Sequence, residues 1–207
     1  MATTDLGTRP DAAQAVSVTR GVHHLALTTE DMKGTTEFYV DVVGMPLVHA
    51  MKVPPGLATG PLNRGNPPYE EIRHYFFDMG NDSLLAFFEI PTGSKPQTDR
   101  DAIGGMQHVA FSVTVERFEE IQSRLLAHRI DFDGPIDILP GIQSIYFYDP
   151  NGIRLEACCQ PADGEHQNVI GSVIQTKAVA QDELRTTGAD EAWLEAMTAN
   201  LPDDRSA

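Results

Sequence analysis

Val22-His-His-Leu-Ala-Leu-Thr28 and Met106-Gln-His-Val-Ala-Phe-Ser-Val113 read as one strand written twice. Side chains alternate across a strand, so His24, Ala26 and Thr28 share one face of the first copy and His23, Leu25 and Leu27 the other. In the second copy His108, Ala110 and Ser112 share a face, opposite Val109, Phe111 and Val113. The large apolar face of each must pack under a helix. What remains is a face of small residues from which one imidazole projects. A lone histidine on a strand is ordinarily structural. Two at equivalent positions of a repeat, both among small residues, line a cavity.

Each strand is followed by the same series. Asp31 is a helix N-cap, Thr35, Phe38, Tyr39, Val42 and Val43 recur at helical spacing, and Gly44 stands where a C-cap glycine belongs. Met45 to Val53 reads as a strand, and Glu71–Met79 and Ser83–Ile90 as a hairpin turning at Gly80-Asn81-Asp82. In the second copy a helix over Glu116–Arg129 carries Phe118, Ile121, Leu125 and Leu126 on one face. After a break at Asp133-Gly134-Pro135 come a short strand over Ile136–Leu139 and a hairpin of Ser144–Tyr148 and Ile153–Cys159, turning at Asp149-Pro150-Asn151-Gly152. His24-Leu-Ala-Leu overlays His108-Val-Ala-Phe, and Tyr75-Phe-Phe-Asp overlays Tyr146-Phe-Tyr-Asp. The spacing predicts an α+β protein of two strand–helix–strand–strand–strand modules, about 21–92 and 104–160.

Outside that core, residues 1–20 read as a loose polar arm. Pro54 to Pro68, with five prolines and three glycines, can hardly be helix or central strand. Together with Tyr69 it could cover the mouth of a site. Residues 161–207 form an acidic extension in which Ala189–Leu201 can be a helix with Trp193, Leu194 and Met197 on one side. The 207 residues carry 15 basic against 30 acidic side chains, a net charge of −15. Such a surface repels phosphate backbones and anionic lipid, so neither nucleic acid nor membrane is expected as a partner. No run approaches the ~18 apolar residues of a membrane span, and Met1–Asp11 has no signal pattern. The adjacent Cys158 and Cys159 point to opposite faces of a strand and do not pair. A cytoplasmic location is expected.

Glu156 lies in an otherwise mostly apolar strand, and a carboxylate there needs a partner to offset desolvation. An ion pair with Arg73 or Arg154 would serve. A metal is the stronger partner. His24, His108 and Glu156 make the two-histidine, one-carboxylate set of non-haem Fe(II), which Mn(II), Zn(II) or Ni(II) can also use.

These residues resemble the vicinal oxygen chelate superfamily of glyoxalases, bleomycin and fosfomycin resistance proteins, methylmalonyl-CoA epimerase and extradiol dioxygenases. The resemblance covers about Gly21 to Gln160. It rests on His24, the Asp-capped helix with Phe38-Tyr39 and Val43-Gly44-Met45, His108, and Asp149-Pro-Asn-Gly-Ile-Arg-Leu-Glu156. It implies paired βαβββ modules, each half of a mixed sheet curling around a metal cup, and a homodimer, for which the Trp193 helix offers an apolar face. Glyoxalase-like members supply a fourth ligand, a glutamate late in the first module. Here Leu85 or Ala86 stands opposite Glu156 in the repeat, and Glu89 fits only if the strand shifts.

Three ligands favour the single-domain extradiol dioxygenases, whose signature Ile145 to Glu156 fits in its second half. The histidine that should precede it is replaced by Asp137, Ile138 and Leu139. This resemblance implies Fe(II), a catechol-like aromatic diol and O2 as substrates, and Tyr146 as donor to the bound hydroxyl. His74, which shares a strand face with Phe76, is the candidate acid/base; it has no family match. A glyoxalase-like isomerase, lyase or thiol transferase is the second reading, and a non-catalytic binding module the third.

Overall fold

The computed structural model describes residues 17–56, 68–93, 99–139 and 141–203. Residues 1–16 of the expected arm and 57–67 of the proline-rich loop lie outside them. Two compact units result, 21–167 and the described parts of 1–20 and 168–207.

In the first unit both modules take the expected order. β1 (His24–Thr29), α1 (Met32–Glu37), β2 (Leu47–Lys52), β3 (Arg73–Gly80) and β4 (Ser83–Glu89) form the first. β5 (Val109–Val113), α2 (Val115–Ala127), β6 (Asp133–Leu139), β7 (Ile142–Tyr148) and β8 (Arg154–Cys159) form the second. Their sheets run β1-β4-β3-β2 and β5-β8-β7-β6, parallel between β1 and β4 and between β5 and β8, antiparallel elsewhere. β1, which carries His24, and β5, which His108 immediately precedes, are therefore edge strands. The two sheets are not hydrogen-bonded to each other.

Local chemistry accounts for the elements. The Asp31 side chain accepts from Gly34 N at 3.0 Å, starting α1. After Glu37 the coil widens into a π-helical turn, Phe38–Val43, which buries Phe38, Tyr39, Val42 and Val43. Gly44, at φ +84°, ends it in the left-handed conformation that glycine adopts without strain. In α2, Phe118, Ile121 and Leu125 are buried as expected, but Leu126 is two-thirds exposed because it falls one position beyond the apolar stripe. β6 begins earlier than predicted, at Asp133, and runs through Gly134-Pro135 with a bulge in its pairing to β7.

The apolar faces of both sheets converge on one core with both helical segments. Tyr39, Phe77, Phe87, Leu85, Leu125, Ile145, Phe147 and Leu155 are among its fully buried members. A polar bracket also joins the modules. Asp149 accepts from Asn151 N and Ile153 N, both at 2.8 Å, and from the Tyr39 hydroxyl at 3.2 Å. Asn151 accepts from Thr29 Oγ1 at 2.7 Å and donates to Thr35 Oγ1 at 3.2 Å. Burial pushes the Asp149 carboxyl up, against these hydrogen bonds, and pushes the Tyr39 phenol well up. The opposite faces, with His24 and His108, point away from this shared core.

In the second unit α3 (Val169–Val173), α4 (Lys177–Arg185) and α5 (Glu191–Thr198) replace the single predicted helix. Gln181 donates to Thr198 and Glu195, and Lys177 pairs with Glu195, tying α4 to α5. Leu194 is buried, whereas Trp193 is 41% exposed. No helix among the described residues is long and apolar enough to cross a membrane.

Candidate metal centre

β7 and β8 bring Tyr146 opposite Glu156 and Ser144 opposite Cys158. On the edge strand beside them, Ala110 pairs with Glu156, so His108 lies next to that carboxylate. His108 Nε2 is 2.9 Å from Glu156 Oε2. The partner of Glu156 is thus His108, while Arg73 pairs with Glu89. Ser144, fully buried, donates to Glu156 Oε1, and Gln107 Oε1 engages His108 Nδ1. Gln107 Oε1 lies behind the ring at Nδ1, and Nε2 is the nitrogen turned toward Glu156. Two donor atoms converge, each oriented by a side chain behind it. That donor chemistry fits a divalent ion.

Tyr146 and Arg154 complete this face. The Tyr146 ring meets His108 edge-on at 5.9 Å, and the Arg154 guanidinium sits 4.1 Å over its centroid. Burial, then Glu156, raises the Tyr146 phenol, so it remains a proton donor.

The first module presents a different surface. His24 is exposed on β1, its Nδ1 2.9 Å from His23 Nδ1 and its ring 6.4 Å from Phe76. His74 is buried, stacked on Phe88 at 3.6 Å, with Nδ1 3.0 Å from the Phe87 carbonyl. Burial pushes its imidazole down, so it stays neutral with Nε2 as acceptor. His49, which the sequence reading passed over, joins this group, 5.7 Å from Phe76. An exposed histidine on an outer strand gave no signal to find it.

The structure brings His108, Glu156 and Tyr146 together, and His24 and His74 together, but not the two groups with each other. Among the described residues no three histidine, cysteine or acidic side chains gather in one place. Within one chain the expected ligand set is divided, because both histidine faces turn away from the common core.

Register also corrects the overlay of the repeats. Phe76 pairs with Ala86 and Tyr146 with Glu156, so Phe76, not Tyr75, is the counterpart of Tyr146, and Ala86 that of Glu156. A slip of one residue exchanges the faces of a strand. Glu89 falls on the helix side of its sheet, where it accepts from Met32 N at 3.3 Å and pairs with Arg73. There it lines a cleft of about 410 Å³ with Glu30, Lys33 and Tyr75, away from His24.

Two βαβββ modules, with His24 on one outer strand, His108 just before the other and Glu156 on the last, define a protein of the vicinal oxygen chelate fold. The family model for the Glyoxalase/Bleomycin resistance protein/Dioxygenase superfamily matches residues 21–157, and the chain belongs to that superfamily. No curated protein matches it. Among solved structures it is similar to a glyoxylase/bleomycin resistance protein/dioxygenase domain from Frankia sp. EAN1pec, at 19% identity over 73% of this chain and 98% of that one, TM-score 0.54. A glyoxalase/dioxygenase from Nostoc punctiforme shares 26% identity over 69% and 92%, TM-score 0.50. A mutant fosfomycin resistance protein, FosX, from Listeria monocytogenes, complexed with Mn(II) and 1S,2S-dihydroxypropylphosphonic acid, shares 19% over 67% and 91%, TM-score 0.45.

Proposed function

We propose that the chain is a metal-dependent oxygenase, active as a homodimer, that uses Fe(II) and O2 to cleave the ring of a catechol-like aromatic diol. The observation that carries this reading is how the site residues divide between modules. The second module holds the polar half: His108, Glu156, Ser144, Tyr146. The first holds His24 beside an aromatic wall of Phe76, Phe88 and His74. Each half runs inward from an edge strand, β1 or β5, across the face of its sheet that is turned away from the shared core. A twofold axis that sets β1 of one protomer against β5 of its partner completes two sites at once. Each takes His24 from one protomer and His108 with Glu156 from the other.

Bound there, a divalent ion supplies an electrostatic template for two neighbouring substrate oxygens. The chain's own residues do the rest. The aromatic wall stacks the substrate ring. Tyr146 donates its phenolic proton to a substrate oxygen and stabilises charge there. His74, neutral and with Nε2 free, accepts a proton from the second hydroxyl. Mn(II), Zn(II) or Ni(II) suits the same donors. The glyoxalase-like alternative needs a fourth carboxylate, and Ala86 stands in its position. The free thiols Cys158 and Cys159 suit a reducing cytoplasm.

The test is complementation. His24→Ala and Glu156→Gln chains should each lose metal. Mixed and allowed to exchange, they form heterodimers in which one site has all three ligands and the other has neither variant's missing group. Metal content should rise to about a quarter of wild type at statistical exchange, with ring cleavage of catechol returning alongside. No recovery on mixing would place the site within one chain. Recovery of metal without cleavage of any catechol would remove the dioxygenase reading and leave the shared site.

A further inference from the structure

Arg154 has no carboxylate within ion-pair distance among the described residues, in a chain of net charge −15. The other arginines of the same unit for which ion pairs are found, Arg73, Arg100, Arg117 and Arg124, each face an acid. Arg154 is instead held over the Tyr146 ring, with one long hydrogen bond of 3.5 Å to Gln107 Oε1. It is half-buried and shares its strand face with Glu156, two residues on. His108, Tyr146 and Arg154 are thus mutual neighbours: Gln107 Oε1 lies against both His108 Nδ1 and Arg154 Nη1, and the Tyr146 ring meets both side chains. The Arg154 counterpart in the first module is Leu84, opposite His24, so the cation belongs to one half only.

We propose that Arg154 is a specificity-determining residue and that the substrate is a diol whose ring carries a carboxylate, docked on this guanidinium. The inference rests on the diol reading above and names the substrate class for that site. A planar fork fixed on an aromatic face presents its remaining N–H groups in the geometry that a carboxylate takes with two parallel hydrogen bonds. The adjacent oxygens of such a substrate meet the His108–Glu156 pair and its carboxylate meets the neighbouring Arg154 guanidinium. A neutral diol makes the first contact and leaves the guanidinium unanswered.

The test is anaerobic calorimetry on the full-length, Fe(II)-loaded protein, so that binding is read without turnover. The probes are catechol, 3,4-dihydroxybenzoate and benzoate. Wild type should bind 3,4-dihydroxybenzoate about tenfold or more tightly than catechol, the worth of a charge-assisted pair. Arg154→Gln should abolish that preference, and Arg154→Lys should keep part of it. A preference retained in Arg154→Gln, or none in wild type, overturns the proposal while leaving the diol reading intact. If neither diol binds, the diol reading falls and benzoate decides: Arg154-dependent binding supports an anion site, and its absence overturns it. If Arg154→Gln fails to fold, Arg154→Lys against wild type is decisive, an unchanged preference in Lys counting against a forked contact.

Discussion

The two modules share a fold and the outward face of their first strands, His24-Ala26-Thr28 against His108-Ala110-Ser112, and differ across the outward faces of their last two strands. Paired by register, Arg154, Glu156 and Cys158 of the second module stand where the first has Leu84, Ala86 and Phe88. Tyr146 and Ser144 stand where it has Phe76 and His74. The inward faces are alike: Leu85 and Leu155, Phe77 and Phe147 are all buried. Duplication has therefore kept what packs and let the outer surfaces diverge, one toward charge and hydrogen bonding, the other toward aromatic contact. Neither outer face is a site alone. Their complementarity is the strongest physical argument that they meet across two chains.

The sharpest way to break this contrast is to remove the polar half's carboxylate. Glu156→Gln should cut metal content by orders of magnitude at micromolar metal while circular dichroism stays native, because the amide still accepts from Ser144. Stoichiometric metal in this variant would take Glu156 out of the site. Making Tyr146 resemble its counterpart Phe76 comes next. Tyr146→Phe should keep metal and diol affinity yet lose about ten- to a thousand-fold in turnover, ~1.4–4 kcal/mol of barrier. A wild-type rate would mean that the phenol only packs.

The converse change, Ala86→Glu, gives the first module the missing carboxylate. Ala86 is wholly buried, with no donor placed for a second charge, so the metal-free protein should lose on the order of 3 kcal/mol in urea titration. Undiminished stability would show that the first half-cup tolerates a ligand there.

The smallest effect concerns His74. Its folded pKa lies below the ordinary value, chiefly through burial, with His24 and His49 pressing the same way and the Phe87 carbonyl opposing. The unfolded chain therefore protonates first. The stability His74 contributes is full above the ordinary histidine pKa and drains away as pH falls through it toward the lowered folded value. Thermal melts of metal-free protein should decline from pH 7.5 to 5, and His74→Phe should flatten part of that slope. An identical slope in the variant would exclude His74 as its source.

Strand parity made the architecture legible, because Leu25, Leu27, Phe111 and Val113 demanded a covered face and left His24 and His108 on the other. The Asp31 cap, the Gly44 stop and both hairpins follow from residue chemistry in the same way. The register between modules did not. Phe76 to Ala86 and Tyr146 to Glu156 are equally far apart in sequence, so the hairpins match in length, but text overlaid by identity slid Tyr75 onto Tyr146. Gln107 and Ser144 gave no signal, since a neutral side chain behind a ligand looks like any polar surface residue. Periodicity could tell which face His24 occupies. It could not tell whose face lies opposite, which is a property of packing between Asp149, Asn151, Tyr39 and Thr35.

That last group changes what its sequence advertises. Asp149-Pro-Asn-Gly152 stands just before the candidate ligand strand and invites interpretation as catalytic, yet its side chains are occupied in clasping one module to the other. Wherever the same four residues recur against matching threonines and a tyrosine, they certify a mounting and say nothing of the machine mounted on it. Such a clasp leaves selection free to rewrite the outward surfaces, so relatives with identical clasps can run unrelated reactions.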